Sequence, residues 1–332
     1  MNIAFFEIED WEKVLFQQAL AGYSLSFFPE PLGPSQAHLL SETEILSPFI
    51  YSKLTADVLS ELSKLKLIVT RSTGVDHIDR TYCRTHGIAV CNVPAYGVDT
   101  IAEHTFALIL ALSRKIIPAV EHTRRGNFTL DGLRGFELAG KTLGIVGLGH
   151  IGKRVAELAL SFKMNVIATT RTPKPDLEEE LGIVRVDLST LLAQSDIVSL
   201  HVPLTPETRY LINKTNIILM KKGSILINTA RGAIVESEAI LLALEQGILA
   251  GAGLDVLEQE CALKEERELL TKEFLKTCDL KTQLLNHVLL TKENVIITPH
   301  NAFNSQEALE EIVQTTLQNI TSYVSGKPEN TI

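Results

Sequence analysis

The stretch TLGIVGLGHIGKRVAELALSF, residues 142–162, joins an apolar strand pattern to a helical pattern through three glycines. Gly147, Gly149 and Gly152 have the spacing G-x-G-x-x-G, which in this strand-to-helix context predicts a dinucleotide-binding turn. The first glycine permits the tight bend, the second lets the backbone approach a diphosphate, and the third lets the helix pack close to the strand. The helix N-terminus then offers free N–H groups to the anion. An ordinary tight turn is the weaker alternative.

On both sides of this stretch, short apolar runs alternate with helical patterns. The runs are continuous in Val, Ile and Leu, as is typical of strands covered on both faces. This pattern predicts an α/β protein with parallel sheets. The predicted strands are NIAFF, LKLIVT, IAVCNVP, TLGIVG, NVIATT, DIVSLHV, SILINTA, AGAGLDV and NVIITPH.

Two helical segments bear on the domain organisation. The segment VDTIAEHTFALILALSRK is apolar nearly all round, so we expect a buried helix at a domain junction. Thr100 and Glu103 fit a capping box, which predicts that this helix starts at Thr100. The segment 261–294 is charged and helical, with Leu263, Leu270 and Phe274 at roughly helical spacing. A surface insertion is the favoured interpretation of that segment, and a partial cover over a cleft is the alternative.

The composition of the chain narrows the possible functions. Its 332 residues suffice for two domains, and the formal net charge of −9 argues against binding nucleic acid or an acidic membrane unaided. The scattered Cys83, Cys91, Cys261 and Cys278 suggest reduced thiols in a cytoplasmic protein. The beginning MNIAFFEIED lacks the basic region of a signal peptide, and no apolar run has transmembrane length. We assign no residue to a metal.

Ionisable residues follow three of the predicted strands. Arg231 comes directly after SILINTA, where its planar fork is placed to bind a carboxylate. Asp255, Glu258 and Glu260 follow the next strand, and His300 ends the last one. Ligands of parallel sheets lie outside the carboxyl ends of the strands, so these groups predict an active site with an acid–histidine pair. The residues alone leave open which of the acids is the partner of His300.

Several motifs resemble one family in both order and spacing. GLGHIG, HVPLTPET, LINTARG, GLDVLEQE and ITPHNA are similar to segments of the D-isomer-specific 2-hydroxyacid dehydrogenases. The resemblance extends to STGVDHID and NVPAYGVDTIAEHT and so covers nearly the whole chain. Tyr96, Phe303 and the long helical insertion after Glu260 make the chain most similar to the D-lactate dehydrogenase branch.

The resemblance implies two domains with a cleft between them. A flavodoxin-like substrate domain would comprise residues 1–100 and 301–332, and a Rossmann dinucleotide-binding domain would comprise residues 101–300. The resemblance also implies a homodimer formed through the cofactor domains.

The resemblance further implies the roles of individual residues. Arg231 would bind the substrate carboxylate, His300 would give its proton to the ketone oxygen, and Glu260 would hold His300. Asp255 would hold the nicotinamide carboxamide. The substrate would further contact Thr73, Gly74, Tyr96 and Phe303. The cofactor would contact Gly147, Gly149, His150, Ile151, Gly152, Thr170, Arg171, Pro203, Thr208, Thr229 and Ala230.

The end of the second cofactor-domain strand bears on the choice between NAD and NADP. Thr170 lies eighteen residues after Gly152, where an acid would accept hydrogen bonds from the ribose and repel a 2′-phosphate. Thr170 lacks that repulsion, and Arg171 and Lys174 add positive charge suited to phosphate. We therefore expect NADP(H) in preference to NAD(H), with NAD(H) as the alternative.

The implied reaction is hydride transfer between a nicotinamide cofactor and a small D-2-hydroxy acid, with D-lactate and pyruvate favoured. Glyoxylate or hydroxypyruvate reduction, or oxidation of phosphoglycerate or phosphite, remains an alternative within the family. Formate dehydrogenase is disfavoured because resembling enzymes carry Gln where Glu260 stands. The non-enzymatic alternative is an NAD(H)-sensing corepressor or scaffold, which the intact set Arg231, Glu260 and His300 disfavours.

Overall fold

The computed structural model describes residues 1–259 and 279–332. These residues form two compact units, of which the first combines Met1–Gly97 with Asn304–Ile332 and the second is Val98–Phe303. Each division lies three residues from the boundary expected from the sequence. Within the described ranges, no helix is both long and apolar enough to span a bilayer.

Twelve strands and twelve α-helices are described. The strands are β1 (Asn2–Phe6), β2 (Ser24–Phe28), β3 (Ile45–Ser47), β4 (Leu67–Val69), β5 (Ala89–Cys91), β6 (Thr142–Val146), β7 (Asn165–Thr169), β8 (Val184–Arg185), β9 (Ile197–Leu200), β10 (Ser224–Asn228), β11 (Leu249–Leu254) and β12 (Val295–Ile297). The helices are α1 (Asp10–Ala19), α2 (Pro34–Ala37), α3 (Ala56–Ser60), α4 (Arg80–Thr85), α5 (Val98–Ser113), α6 (Ile116–Arg124), α7 (His150–Ser161), α8 (Pro175–Leu181), α9 (Leu188–Gln194), α10 (Ser237–Glu245), α11 (Leu280–Leu290) and α12 (Gln306–Val324).

The first unit is built on a five-stranded parallel sheet with the order β2-β1-β3-β4-β5. This is the flavodoxin-like strand order, as expected. One face carries apolar residues such as Phe6, Leu46 and Ile68, and the other carries Ile3 and Phe5. Helix α12 comes from the end of the chain and contributes Val313 and Ile320 to that second cluster.

The second unit is built on a seven-stranded parallel sheet with the order β12-β11-β10-β9-β6-β7-β8. Apart from the additional edge strand β12, this is the Rossmann order, in which the direction of winding reverses between β6 and β9. Apolar clusters cover both faces of the sheet. The expectation of two parallel sheets is therefore confirmed, and the glycine turn after β6 lies at the switch point where such sheets bind ligands.

Helix α5 is buried as expected but starts elsewhere. It begins at Val98, so Thr100 lies within its first turn and the predicted capping box at Thr100 and Glu103 is wrong. Phe106 and Ile109 pack into the apolar cluster between the sheet and α7.

Residues 260–278 lie outside the described ranges, and most of the predicted 261–294 segment falls there. Of that segment the structure describes α11, whose first-turn N–H groups at Lys281 and Thr282 donate to the Asp279 carboxylate.

Candidate active site

The three glycines of the turn after β6 have distinct environments. Gly147 has a φ of +99°, and a Cβ there would lie 2.5 Å from the carbonyl oxygen of His201. A Cβ on Gly152 would lie 2.0 Å from the carbonyl oxygen of Gly147, so the first turn of α7 packs directly on the glycine turn. A Cβ on Gly149 would meet nothing within 4 Å. The open side of Gly149 is thus the surface that a diphosphate could approach.

The N-terminus of α7 completes this surface. Gly149 is the N-cap residue and has no side chain with which to occupy the first N–H groups of the helix. His150 is exposed and Ile151 is half-buried at the same turn. Free N–H groups and the positive end of the helix dipole fit a bound dinucleotide diphosphate.

The loop after β7 carries the residues expected to contact the ribose. The Thr170 hydroxyl donates to the carbonyl oxygen of Thr172 at 3.2 Å, and Arg171 is exposed. A hydrogen bond from Thr205 and, less strongly, the charge of Arg171 lower the pKa of Glu207, which lies in the loop after β9. Arg171 therefore shares its surroundings with one acid from the neighbouring loop.

The loop after β9 is held by its own side chains. The Thr208 hydroxyl donates to the carbonyl oxygen of Pro203 at 2.6 Å and accepts from the N–H of Thr205 at 2.7 Å. At the start of this loop, His201 Nε2 lies 2.8 Å from the Ser199 hydroxyl. Burial lowers the pKa of His201 to about 3, so this imidazole is neutral near pH 7.

Thr229, Ala230 and Arg231 form the turn that follows β10. The hydroxyl of Thr229 is 3.0 Å from that of Thr105 on α5, which anchors the turn to a buried helix. The half-buried Arg231 donates from one guanidinium nitrogen to the carbonyl oxygen of Ala230 at 2.8 Å.

Asp255 is 1% exposed and anchors the loop that carries His300. Its carboxylate accepts from the Thr298 hydroxyl at 2.5 Å and from the N–H groups of Asn301 at 3.0 Å and Ala302 at 2.9 Å. Asp255 thus has a structural role that the sequence did not indicate. Its expected contact with the nicotinamide carboxamide stays a prediction.

His300 is held in an unusual backbone conformation. Its φ is +51°, in the left-handed region that costs a non-glycine residue free energy and that often occurs at functional sites. Its N–H donates to the carbonyl oxygens of Asp255 and Thr298, each at 2.9 Å. The Phe303 ring meets the His300 ring edge-on, with the ring centroids 6.4 Å apart.

Main-chain hydrogen bonds join the three strand ends. The N–H of Asp255 donates to Asn228, the last residue of β10, at 2.9 Å, and the N–H of His300 donates to Asp255. The structure therefore brings the Arg231 turn, Asp255 and His300 to one edge of the sheet, next to each other. This is the carboxyl edge on which the glycine turn also lies.

The structure describes only one of the two other acids of GLDVLEQE, Glu258 and Glu260. Glu260 lies outside the described residues, so its expected pairing with His300 stays a prediction. Glu258 is buried, and its carboxylate accepts from the Tyr210 hydroxyl and from the backbone and hydroxyl of Ser237. The contact with Tyr210 could not be predicted from the sequence, because it joins two irregular loops.

His104 on α5 lies beside Thr298 and Asp255, and the sequence analysis did not predict this position. Its Nε2 is 3.1 Å from the Thr298 hydroxyl and 3.5 Å from an Asp255 oxygen. Since the single Thr298 hydroxyl proton goes to Asp255, Nε2 carries a proton and donates to Thr298.

The residues expected from the first unit lie in the loops after β4 and β5. Thr73 donates from its hydroxyl to the Val93 carbonyl at 2.8 Å, and the Ser72 hydroxyl donates to the Gly74 carbonyl at 2.7 Å. Tyr96 is half-buried. The roles of Thr73, Gly74 and Tyr96 in substrate binding stay predictions.

A buried arginine, also missed from the sequence, supports these loops. Arg71 is 1% exposed and donates to the carbonyl oxygens of Ser47 at 3.0 Å, Phe6 at 2.8 Å and Glu7 at 2.6 Å. It thereby ties the carboxyl ends of β1 and β3 to the loop that follows β4.

The fold and the site define a class: a dinucleotide-binding α/β protein with Arg, Asp and His at adjacent strand ends. A family model described as D-isomer specific 2-hydroxyacid dehydrogenase, NAD binding domain, matches residues 106–302. The chain belongs to this family, whose members are nicotinamide-linked oxidoreductases.

Individual relatives agree with this assignment. A glyoxylate reductase of Thermococcus litoralis is 36% identical over 93% of this chain and 90% of its own. The D-lactate dehydrogenase of Escherichia coli is 35% identical over 98% of both chains. A solved structure of D-lactate dehydrogenase from Aquifex aeolicus, complexed with NAD and lactic acid, is 39% identical, with a TM-score of 0.88 over 98% of this chain and 96% of that one.

Proposed function

We propose that this protein interconverts a small 2-keto acid and the corresponding D-2-hydroxy acid, with pyruvate and D-lactate as the favoured pair. The observation that carries the proposal is the hydrogen-bonded row of strand ends that places the Arg231 turn, Asp255 and His300 beside one another. A bound nicotinamide cofactor would supply or accept the hydride.

The residues of the chain would bind the substrate and transfer the proton. The planar guanidinium of Arg231 would grip the substrate carboxylate and orient the neighbouring carbonyl. The His300 imidazole would give a proton to the carbonyl oxygen during reduction and take it back during oxidation. Asp255 would keep the His300 loop in place through its bonds to Asn301 and Ala302.

Phe303 places an apolar ring beside His300, the proposed proton donor. A substrate with a small apolar side chain would fit this surface. The name of the Aquifex aeolicus relative also favours D-lactate. The name of the Thermococcus litoralis relative makes glyoxylate the second candidate.

The test of the substrate is a turnover assay with pyruvate, 2-ketobutyrate, glyoxylate and hydroxypyruvate at equal concentrations. The highest kcat/KM is expected for pyruvate or 2-ketobutyrate, and a clear preference for glyoxylate would overturn the choice of substrate.

For the cofactor we propose NADP(H) in preference to NAD(H). Thr170 presents a hydroxyl instead of an acid. Arg171 is exposed, so its guanidinium could reach a 2′-phosphate. The wild-type protein is expected to use NADPH at least as well as NADH. Thr170→Asp should shift kcat/KM toward NADH by roughly ten- to a hundredfold, since one charged contact is worth about 1.5–3 kcal/mol and each decade about 1.4 kcal/mol. A wild-type protein that strongly prefers NADH would refute this assignment.

We also propose that a second copy of the chain covers part of the second unit. Ile116, Ile117 and Val120 are exposed on α6, and the following segment exposes Phe128 at 79% and Leu130 at 83%. Large apolar side chains exposed together in this way are typical of an interface. Sedimentation analysis should show a dimer, and Phe128→Asp combined with Leu130→Asp should shift it to monomer. A monomeric wild-type protein would refute the proposal.

A further inference from the structure

The buried Glu258 belongs to a hydrogen-bonded ring that has no part in the function proposed so far. One carboxylate oxygen accepts a hydrogen bond from the Tyr210 hydroxyl. The other accepts from the N–H of Ser237 at 3.4 Å and from its hydroxyl at 3.2 Å. The carbonyl oxygen of Glu258 accepts from the Asn286 amide on α11 at 2.8 Å. Glu258 is thus fixed through both its side chain and its backbone.

The turn that carries Arg231 packs against the backbone of Glu258. A Cβ on Gly232 would lie 2.0 Å from the carbonyl carbon of Leu257 and 2.5 Å from the N–H nitrogen of Glu258. Only glycine permits so close an approach, and Gly232 is the residue directly after Arg231. Any displacement of Glu258 would therefore be transmitted to the Arg231 turn.

Tyr210 closes the ring from the other side. Its N–H donates to the carbonyl oxygen of Ala233, two residues after Arg231, at 2.9 Å. Its φ of +51° lies in the left-handed region, which the surrounding contacts must maintain. The path runs from the Tyr210 backbone through Ala233 and Gly232 to Glu258, and returns through the Glu258 carboxylate to the Tyr210 hydroxyl.

The charges around the ring agree with this direction of hydrogen bonding. Burial first, and then the hydrogen bond to Glu258, raise the pKa of Tyr210, so the phenol stays protonated and donates. Arg209 donates from its guanidinium to the Tyr210 oxygen at 3.0 Å and lies over the Tyr210 ring.

We propose that Tyr210 and Glu258 are positioning residues that hold Arg231 in the orientation needed to bind the substrate carboxylate. This inference rests on the role proposed for Arg231 in 2-keto acid binding. Neither residue would contact the substrate, since both act through the turn formed by Gly232 and Ala233.

The first test is Tyr210→Phe, which removes a single oxygen. The variant should lose about tenfold in kcat/KM for the preferred 2-keto acid, mainly through a higher KM. The dissociation constant for the nicotinamide nucleotide should stay within twofold, and the melting temperature should fall by roughly 2–12 °C, because the buried Glu258 carboxylate loses one donor at a cost of about 1–3 kcal/mol. Tyr323→Phe is the matched control, because its hydroxyl belongs to the first unit and donates to the Lys66 carbonyl at 3.4 Å. A Tyr210→Phe variant with kcat/KM within twofold of wild type would refute the inference.

A double-mutant cycle separates positioning from general destabilisation. If Tyr210 acts through Arg231, then Tyr210→Phe in an Arg231→Lys background should cost less than threefold, because contacts that share a partner are not additive. Retention of the full tenfold loss in that background would overturn the inference.

Hydrogen exchange gives a readout that does not depend on turnover. Peptides covering residues 229–236 should exchange faster in Tyr210→Phe than in wild type and Tyr323→Phe. If the wild-type protein reduces no 2-keto acid of the panel, the proposed function fails, and this measurement alone decides the inference. Unchanged exchange at 229–236 would then refute it.

Discussion

Replacing Asp255 by Asn tests whether its carboxylate holds the His300 loop. An asparagine can keep the oxygen that serves Thr298 and Asn301, but it turns an NH₂ group toward the N–H of Ala302, which now lies 2.9 Å from a carboxylate oxygen. A buried N–H left without an acceptor costs about 1–3 kcal/mol. Loss of charge assistance in the two remaining bonds adds about 1 kcal/mol. The expected cost of Asp255→Asn is therefore about 2–4 kcal/mol.

Thermal unfolding measures this cost directly. For a unit the size of Val98–Phe303, each kcal/mol corresponds to about 2–4 °C, so the transition of this unit should move down by roughly 4–16 °C. The matched control is Asp187→Asn, since Asp187 is exposed and caps α9 by accepting from the N–H of Thr190 at 2.9 Å. Asparagine caps a helix about as well, so the control should stay within about 2 °C. Equal melting temperatures for Asp255→Asn and wild type would show that the carboxylate does not hold the loop.

Three further substitutions address the remaining parts of the site. His300→Ala should lower kcat by roughly two to four decades, the usual contribution of a positioned acid or somewhat more, and near-wild-type turnover at neutral pH would remove His300 from the proton-transfer role. Arg231→Lys keeps the charge but loses the planar fork, so kcat/KM should fall by about tenfold or more; an unchanged value across the keto-acid panel would make Arg231 structural. Gly152→Ala would place a methyl group 2.0 Å from the carbonyl oxygen of Gly147, so titration should show nucleotide affinity lower by about tenfold or more, and wild-type affinity would contradict the close-packing argument.

The elements that the sequence predicted are those with strong local signals. Each of the nine predicted apolar runs contains most or all of a strand. The spacing of Gly147, Gly149 and Gly152 correctly predicted the turn that lies at the switch point of the sheet. The runs that were missed are β2, β3 and β8. Strand β2 alternates and is half-exposed, and β8 has two exposed residues. Strand β3 has only two consecutive apolar residues, Ile45 and Leu46, so none of the three has the continuous apolar run that indicates an inner strand. The start of α5 was misplaced because Thr100 and Glu103 fit a capping box in a chain that is already helical from Val98.

Ionisable residues that directly follow a strand could be predicted from the sequence, whereas contacts between residues of two different loops could not. The placement of Arg231 and His300 at strand ends could be predicted from the sequence, because a charged group directly after a buried strand is costly unless it faces a cleft or a partner. Their roles in the reaction stay predictions. The contact between Tyr210 and Glu258 joins residues 48 positions apart in two irregular segments, for which no periodicity exists. Arg71 was missed because arginine is ordinarily exposed, and only the tertiary structure supplies the three carbonyl oxygens and the Glu12 carboxylate, 3.4 Å away, that make its burial tolerable.

The discontinuous first unit has a consequence for synthesis on the ribosome. The sheet of this unit is encoded within residues 1–97, whereas the helix that contributes Val313 and Ile320 to the cluster around Phe5 is α12, near the end of the described chain. At a translation rate of about 5–20 residues per second, the intervening 98–303 segment takes on the order of 10–40 s to appear. Phe16 of α1 and the adjacent Leu20 cover part of the apolar face around Phe5 early, so the nascent sheet keeps only the rest of that face uncovered for that time. The contiguous second unit can fold as soon as it emerges. Chaperone binding during translation should accordingly concentrate on the strands of residues 1–97.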